Sequence, residues 1–209
     1  MNIWKSIRKL RPGKSSRPPI IVVSGLPRSG TSMMMNMLSS AGLEIVTDKA
    51  READEDNPKG YFEDERIKNL DRSADKTWLD HCPGKVIKVI SFLLKDLPPK
   101  HDYKVIFMHR DLDEVIRSQN KMLQRRDQAS QSTDDDTMKQ HFELHLRKVA
   151  MLIRERRNLD NLDVHYRQVL DDPKQQAHRV VEFLGMDLDA DKMTRPVDES
   201  LYRNRQPTQ

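Results

Sequence analysis

Ile20-Ile21-Val22-Val23-Ser24-Gly25-Leu26-Pro27-Arg28-Ser29-Gly30-Thr31-Ser32 is the stretch that decides the fold. Four β-branched apolar residues in a row suit a strand buried on both faces, as in the middle of a parallel sheet. Gly25 and Gly30 then bracket a turn, and residues 31–40 read as a helix stopped near Gly42. Strand, glycine loop and helix in that order frame the phosphate-binding pattern G-x-x-x-x-G-K-[ST]. Gly25, Gly30 and Ser32 fit it, while Thr31 stands where the lysine belongs. The backbone part of the function survives, because successive N–H groups at a helix start surround an anion. The cation that reaches the outer phosphates of ATP does not survive, and Arg28 is the one basic residue inside the loop. The loop is expected to bind a phosphate, though not as an ATP hydrolase does. A glycine turn without a ligand is the plainer alternative.

Outward from this loop, short apolar runs at residues 86–90, 103–108 and 162–166 read as further strands, with 43–46 a weaker one. Helical segments follow them, the last over 173–184 and ended by Gly185. Strands alternating with helices give an α/β class with a parallel β-sheet flanked by helices. The longest helix is expected over 136–159, where Met138, Phe142, Leu146, Val149 and Ile153 recur at helical spacing. Acids at its start and arginines near its end complement the helix dipole. Residues 127–133 are polar and read as a loop.

The chain has 209 residues, enough for one domain. Of its 37 basic side chains, six lie in residues 1–17, where there is no acid. Residues 18–209 therefore carry 31 basic against 33 acidic side chains, and the formal +4 belongs to the leader. That argues against a nucleic-acid partner for the domain. Residues 1–17 read as a basic leader, flexible or docked on the domain, and residues 18–209 as a single domain. Ile3, Trp4, Ile7 and Leu10 would share a helix face, so peripheral membrane contact is the lesser alternative for this leader. One cysteine, Cys82, excludes an intrachain disulfide and a Cys zinc cluster. With no secretory signal and no apolar run long enough to span a bilayer, the expectation is a cytoplasmic protein. His141 and His145 are four apart on the long helix, but without a third ligand they read as surface or packing residues.

Pro27-Arg28-Ser29-Gly30-Thr31-Ser32 resembles the 5′-phosphosulfate loop of the sulfotransferases that use 3′-phosphoadenosine-5′-phosphosulfate (PAPS), in particular small bacterial members. The run Tyr103 to Arg110 is similar to the family's strand ending in arginine, and Ser118 follows eight residues later. The resemblance implies that Arg110 and Ser118 hold the 3′-phosphate of the co-substrate. A surface salt bridge of Arg110 with Asp113 or Glu114 is the alternative. A looser likeness at Val164-His165-Tyr166, Asp172-Pro173 and Phe183-Leu184-Gly185 would set Tyr166 near the adenine. The fold implied is the P-loop-like sulfotransferase fold. The implied reaction is in-line transfer of a sulfuryl group to a hydroxyl or amine of a small-molecule, carbohydrate or peptide acceptor. It needs no metal.

Such a transfer needs charge stabilisation at the leaving phosphate, the role implied for Arg28 and the loop donors. It also needs a base for a hydroxyl acceptor. Cytosolic relatives carry lysine, threonine and histidine at a strand end. Lys88 matches the lysine, but Ile90 stands where the histidine would be. Other branches place a glutamate about twenty residues beyond the loop, close to Asp48 here. The segment 57–64 offers Glu63 and Asp64 at a helix start. Glu63 is preferred, then Asp48 and Asp64, with helix capping or solvation the ordinary role of each. The family's C-terminal glycine-rich clamp is missing, and only residues 201–205 offer basic groups there. A small-molecule kinase and a nucleotide-binding module that has lost its base are the competing functions.

Overall fold

A computed structural model describes residues 17–48, 62–125 and 134–197. Strand β1 (Ile20–Gly25) is buried at every position, as its continuous apolar run requires. It lies between β2 (Val86–Lys88) and β3 (Tyr103–His109), and β4 (Leu159–His165) pairs with β3 on the far side. All pairings are parallel, in the order β2-β1-β3-β4. The helices are α1 (Thr31–Ser40), α2 (Glu65–Lys68), α3 (Leu112–Arg125), α4 (Asp135–Glu155), α5 (Tyr166–Asp171), α6 (Pro173–Leu184) and α7 (Ala190–Thr194). Short 3₁₀ helices span Thr77–His81 and Ser91–Asp96.

The pleat of β1 divides the core in two. Ile21 and Val23 join Met34, Met35, Met37 and Leu38 of α1 with Val180 and Leu184 of α6. Ile20 and Val22 face the other way, towards Leu79, Leu94 and Val149 of α4. Lys104 ties β3 to α6: its ammonium donates to the carbonyls of Phe183 and Leu184, 2.6 Å each, where Gly185 ends the helix in the left-handed region. These are carbonyls that a helix C-terminus leaves without partners.

Several expected boundaries shift. The long helix ends at Glu155, not 159, because Leu159 already pairs with Tyr103. The last strand accordingly starts at Leu159; its polar Asp160 and Asn161 carry no strand signal but follow β3 through backbone pairing. Tyr166 opens α5 instead of ending a strand. The run at 86–90 keeps strand geometry only to Lys88, and 43–46 contributes one isolated bridge, Ile45 to Val86. The leader up to residue 16, most of the segment 57–64, the loop at 127–133 and the basic residues 201–205 lie outside the described residues. No helix among the described residues is long and apolar enough to cross a membrane.

Candidate functional site

The loop between β1 and α1 stands at the carboxyl end of the sheet, where open parallel sheets place their ligands. Its conformation depends on two glycines. A Cβ on Gly25, whose φ is +150°, would meet the Ser29 hydroxyl and lie 2.6 Å from the Met108 carbonyl. A Cβ on Gly30, at φ +98°, would run into the Tyr166 ring. Between them Arg28 adopts φ 69°, a left-handed conformation that a residue with a Cβ adopts only when its surroundings impose it. Ser29 N–H donates to the Leu26 carbonyl at 3.2 Å and closes the turn. Gly30 is the N-cap of α1, so no side chain caps this helix, and no acid occupies its first turn. The Ser29 hydroxyl is buried and has no partner. A helix N-terminus without a capping carboxylate, next to a buried hydroxyl with nothing to bond, suits an incoming anion.

Three segments close on this loop. Arg28 Nε donates to Ser118 Oγ on α3 at 2.9 Å. A guanidinium nitrogen of Arg110, at the end of β3, donates to the Arg28 carbonyl at 3.2 Å. Arg110 Nε also donates to Glu114 at 2.9 Å, and both side chains are buried. The Arg110 guanidinium lies 4.5 Å from the centre of the Tyr166 ring, which in turn packs on Gly30. Arg28, Ser29, Gly30, Arg110, Ser118 and Tyr166 thus form one connected group. Arg110 makes the salt bridge weighed from sequence, with Glu114, while also contacting the loop. On the other side of β1, Lys88 Nζ donates to Ser32 Oγ at 3.1 Å. Pro27 and Thr31 complete the loop, with Thr31 largely buried.

The three carboxylates named from sequence gather beside β2. Asp64 is 1 % exposed; it caps α2 through the Arg66 N–H and takes two further bonds, 2.9 and 2.7 Å, from the Arg66 guanidinium. Asp48 accepts from the Glu65 N–H at 2.8 Å. Glu63 pairs with Lys68 at 3.0 Å, and its carbonyl accepts from Thr47 and Asp48. The capping alternative therefore describes Asp64 well. Sequence reasoning missed the contact between Ser91 and His145. Ser91 Oγ lies 2.9 Å from His145 Nε2, and Phe92 stacks on the imidazole at 3.7 Å. Burial, then the charge of Lys148, hold the His145 pKa below the ordinary histidine value. No group of His, Cys, Asp and Glu among the described residues is arranged to hold a metal.

The fold and this loop define a protein of the P-loop-like sulfotransferase class. The family model described as "Sulfotransferase family" matches residues 65–190, more than half of the chain, and the chain belongs to that family. The match includes Lys88, Arg110, Ser118 and Tyr166 and leaves the glycine loop outside. Among solved structures, the sulfotransferase domain from the curacin biosynthetic pathway is similar at TM-score 0.52 and 15% identity, over 88% of this chain and 79% of that one. A sulfotransferase from Alicyclobacillus acidocaldarius gives TM-score 0.47 and 13% identity, over 90% and 89%. Retinol dehydratase in complex with androsterone and inactive cofactor PAP gives 0.46 and 16%, over 87% and 64%. At 15% identity the likeness to the curacin-pathway domain is one of fold. No curated protein sequence matches the chain.

Proposed function

We propose that this sulfotransferase takes its sulfuryl group from PAPS and moves it in line to a hydroxyl or amine of a small-molecule, carbohydrate or peptide acceptor. The observation that carries the reading is the convergence on Arg28. The loop cation bonds Ser118, and its carbonyl is held by Arg110. Those contacts bring together the residues that this reading assigns to the two ends of one nucleotide.

In this reading Pro27, Arg28, Ser29, Gly30, Thr31 and Ser32 hold the 5′ end. Arg110 and Ser118 hold the 3′-phosphate, and Tyr166 borders the adenine. The buried Ser29 hydroxyl and the uncapped α1 N-terminus fit an anionic group at that place. PAPS supplies an activated sulfuryl group on a phosphate leaving group. Arg28 and Lys88 bring positive charge to the phosphate as it departs, and the Thr31 and Ser32 hydroxyls add donors. Two fixed cations serve this charge, so no metal is assigned to the reaction. Asp48, Glu63 and Asp64 are the carboxylates that the resemblance offers for accepting a proton. The proposed location is the cytoplasm, and the proposed acceptor is not a nucleic acid.

Incubation with radiolabelled PAPS and a panel of alcohols, phenols, sugars and tyrosine peptides tests the proposal. Labelled product is expected. Turnover of ATP with magnesium in its place would favour the kinase alternative.

A further inference from the structure

The carboxylates near the site are each committed. Asp64 serves α2 and Arg66, Asp48 takes the Glu65 N–H, and Glu63 is held by Lys68. The His145 imidazole is differently placed. Helix α4 runs antiparallel to the strands, since its last residue, Glu155, precedes the start of β4 by one short turn. Ten residues separate His145 from Glu155, about 15 Å at ~1.5 Å per residue. The strands climb a similar height, about 3.3 Å per residue. His145 therefore comes level with the carboxyl ends of the strands, the edge that carries the glycine loop. Its bond to Ser91, three residues past Lys88, fixes it there. Ile90 and Phe92, on either side of Ser91, are 39% and 41% exposed and line the same edge with apolar surface.

We infer that His145, supplied by helix α4 and oriented by Ser91, is the general base of the transfer. The inference rests on the PAPS reading above. With the Nε2 proton donated to Ser91 Oγ, Nδ1 carries the lone pair. As the acceptor oxygen bonds to sulfur, its proton passes to Nδ1. The bond from sulfur to the phosphate oxygen breaks, and its electron pair leaves on the 5′-phosphate as 3′,5′-ADP. The stacked Phe92 ring limits the imidazole's movement. Exposed Ile90 and Phe92 give an acceptor an apolar surface beside the base. Lys148 is the charged residue acting on the ring, and Ser91 and Phe92, which face it from the next element, are uncharged.

Two measurements on the full chain test this. In the first, the His145 ring signals are followed by NMR, assigned by their loss in His145→Gln, while 3′,5′-ADP is added. They are expected to shift as the phosphates enter; unmoved signals at saturating nucleotide overturn the inference. In the second, transfer from radiolabelled PAPS to simple alcohols and phenols is compared with calorimetric 3′,5′-ADP affinity. His145→Gln is expected to lose about 100-fold or more in transfer with affinity unchanged. Transfer close to wild type, or parallel loss of transfer and affinity, overturns the assignment. A wild-type chain that does not bind 3′,5′-ADP defeats the PAPS reading itself, whereas binding with an unaffected His145→Gln defeats only the base.

Discussion

Arg28 Nε donates to Ser118 Oγ at 2.9 Å, joining the glycine loop to the second turn of α3 across ninety positions of sequence. The left-handed φ of 69° at Arg28 is what lets its carbonyl meet Arg110 while its side chain meets Ser118. Replacing the side chain deletes the bond to Ser118 and leaves the backbone carbonyl that Arg110 holds. Arg28→Ala is expected to weaken 3′,5′-ADP binding about 10- to 100-fold, the scale of a charge-assisted hydrogen bond. Ser118→Ala should cost less, because a neutral partner is lost. Calorimetric titration of both variants checks the order.

Gly30→Ala combines an unfavourable φ with a collision against the Tyr166 ring. The left-handed conformation alone costs about 1–2 kcal/mol for a residue with a Cβ. We expect a lower melting temperature, and weaker nucleotide binding as Tyr166 and Arg110 are displaced. Gly42→Ala is the comparison: that glycine is also at positive φ but has nothing within 4 Å of an added Cβ. It should destabilise without affecting nucleotide.

Glu114→Ala leaves the buried Arg110 guanidinium without its carboxylate partner. Breaking a buried pair costs about 3 kcal/mol or more. Thermal unfolding should show the loss. If the nucleotide occupies the site proposed, 3′,5′-ADP should recover part of it, since its phosphate replaces the missing negative charge.

Burial is the largest influence on His101, His145 and His165, and in each the pKa is lowered. A histidine depressed in the folded state adds stability above its unfolded pKa and withdraws it as pH falls through the folded value. Melting temperature should therefore decline from neutral pH towards pH about 5, below the ordinary histidine pKa of roughly 6.5. His101→Gln should flatten part of that decline, which a pH series of melts would show.

The framework was legible because β1 and its loop are local in sequence. An unbroken β-branched run followed by Gly-x-x-x-x-Gly states a buried strand and a tight glycine turn within thirteen residues. Arg110 and Ser118 were named together through the family resemblance, whose eight-residue spacing, about two helical turns, they reproduce. The bond between Arg28 and Ser118 was not legible, because nothing local says which way a loop arginine turns. The start of β4 was hidden for a related reason: Asp160 and Asn161 are strand only through the neighbouring β3. The order given to the carboxylates, Glu63 before Asp48 and Asp64, could not draw on Asp64's burial beneath Arg66, which depends on tertiary packing. His145 looked like a packing residue because its partner, Ser91, lies 54 positions away.

The most direct measurement is calorimetric titration of 3′,5′-ADP into the wild-type chain and into Arg28→Ala and Arg110→Ala. The account predicts one binding site in the wild type and a loss of at least about tenfold in affinity for each variant. No binding by the wild type, or equal affinity in all three proteins, would contradict it.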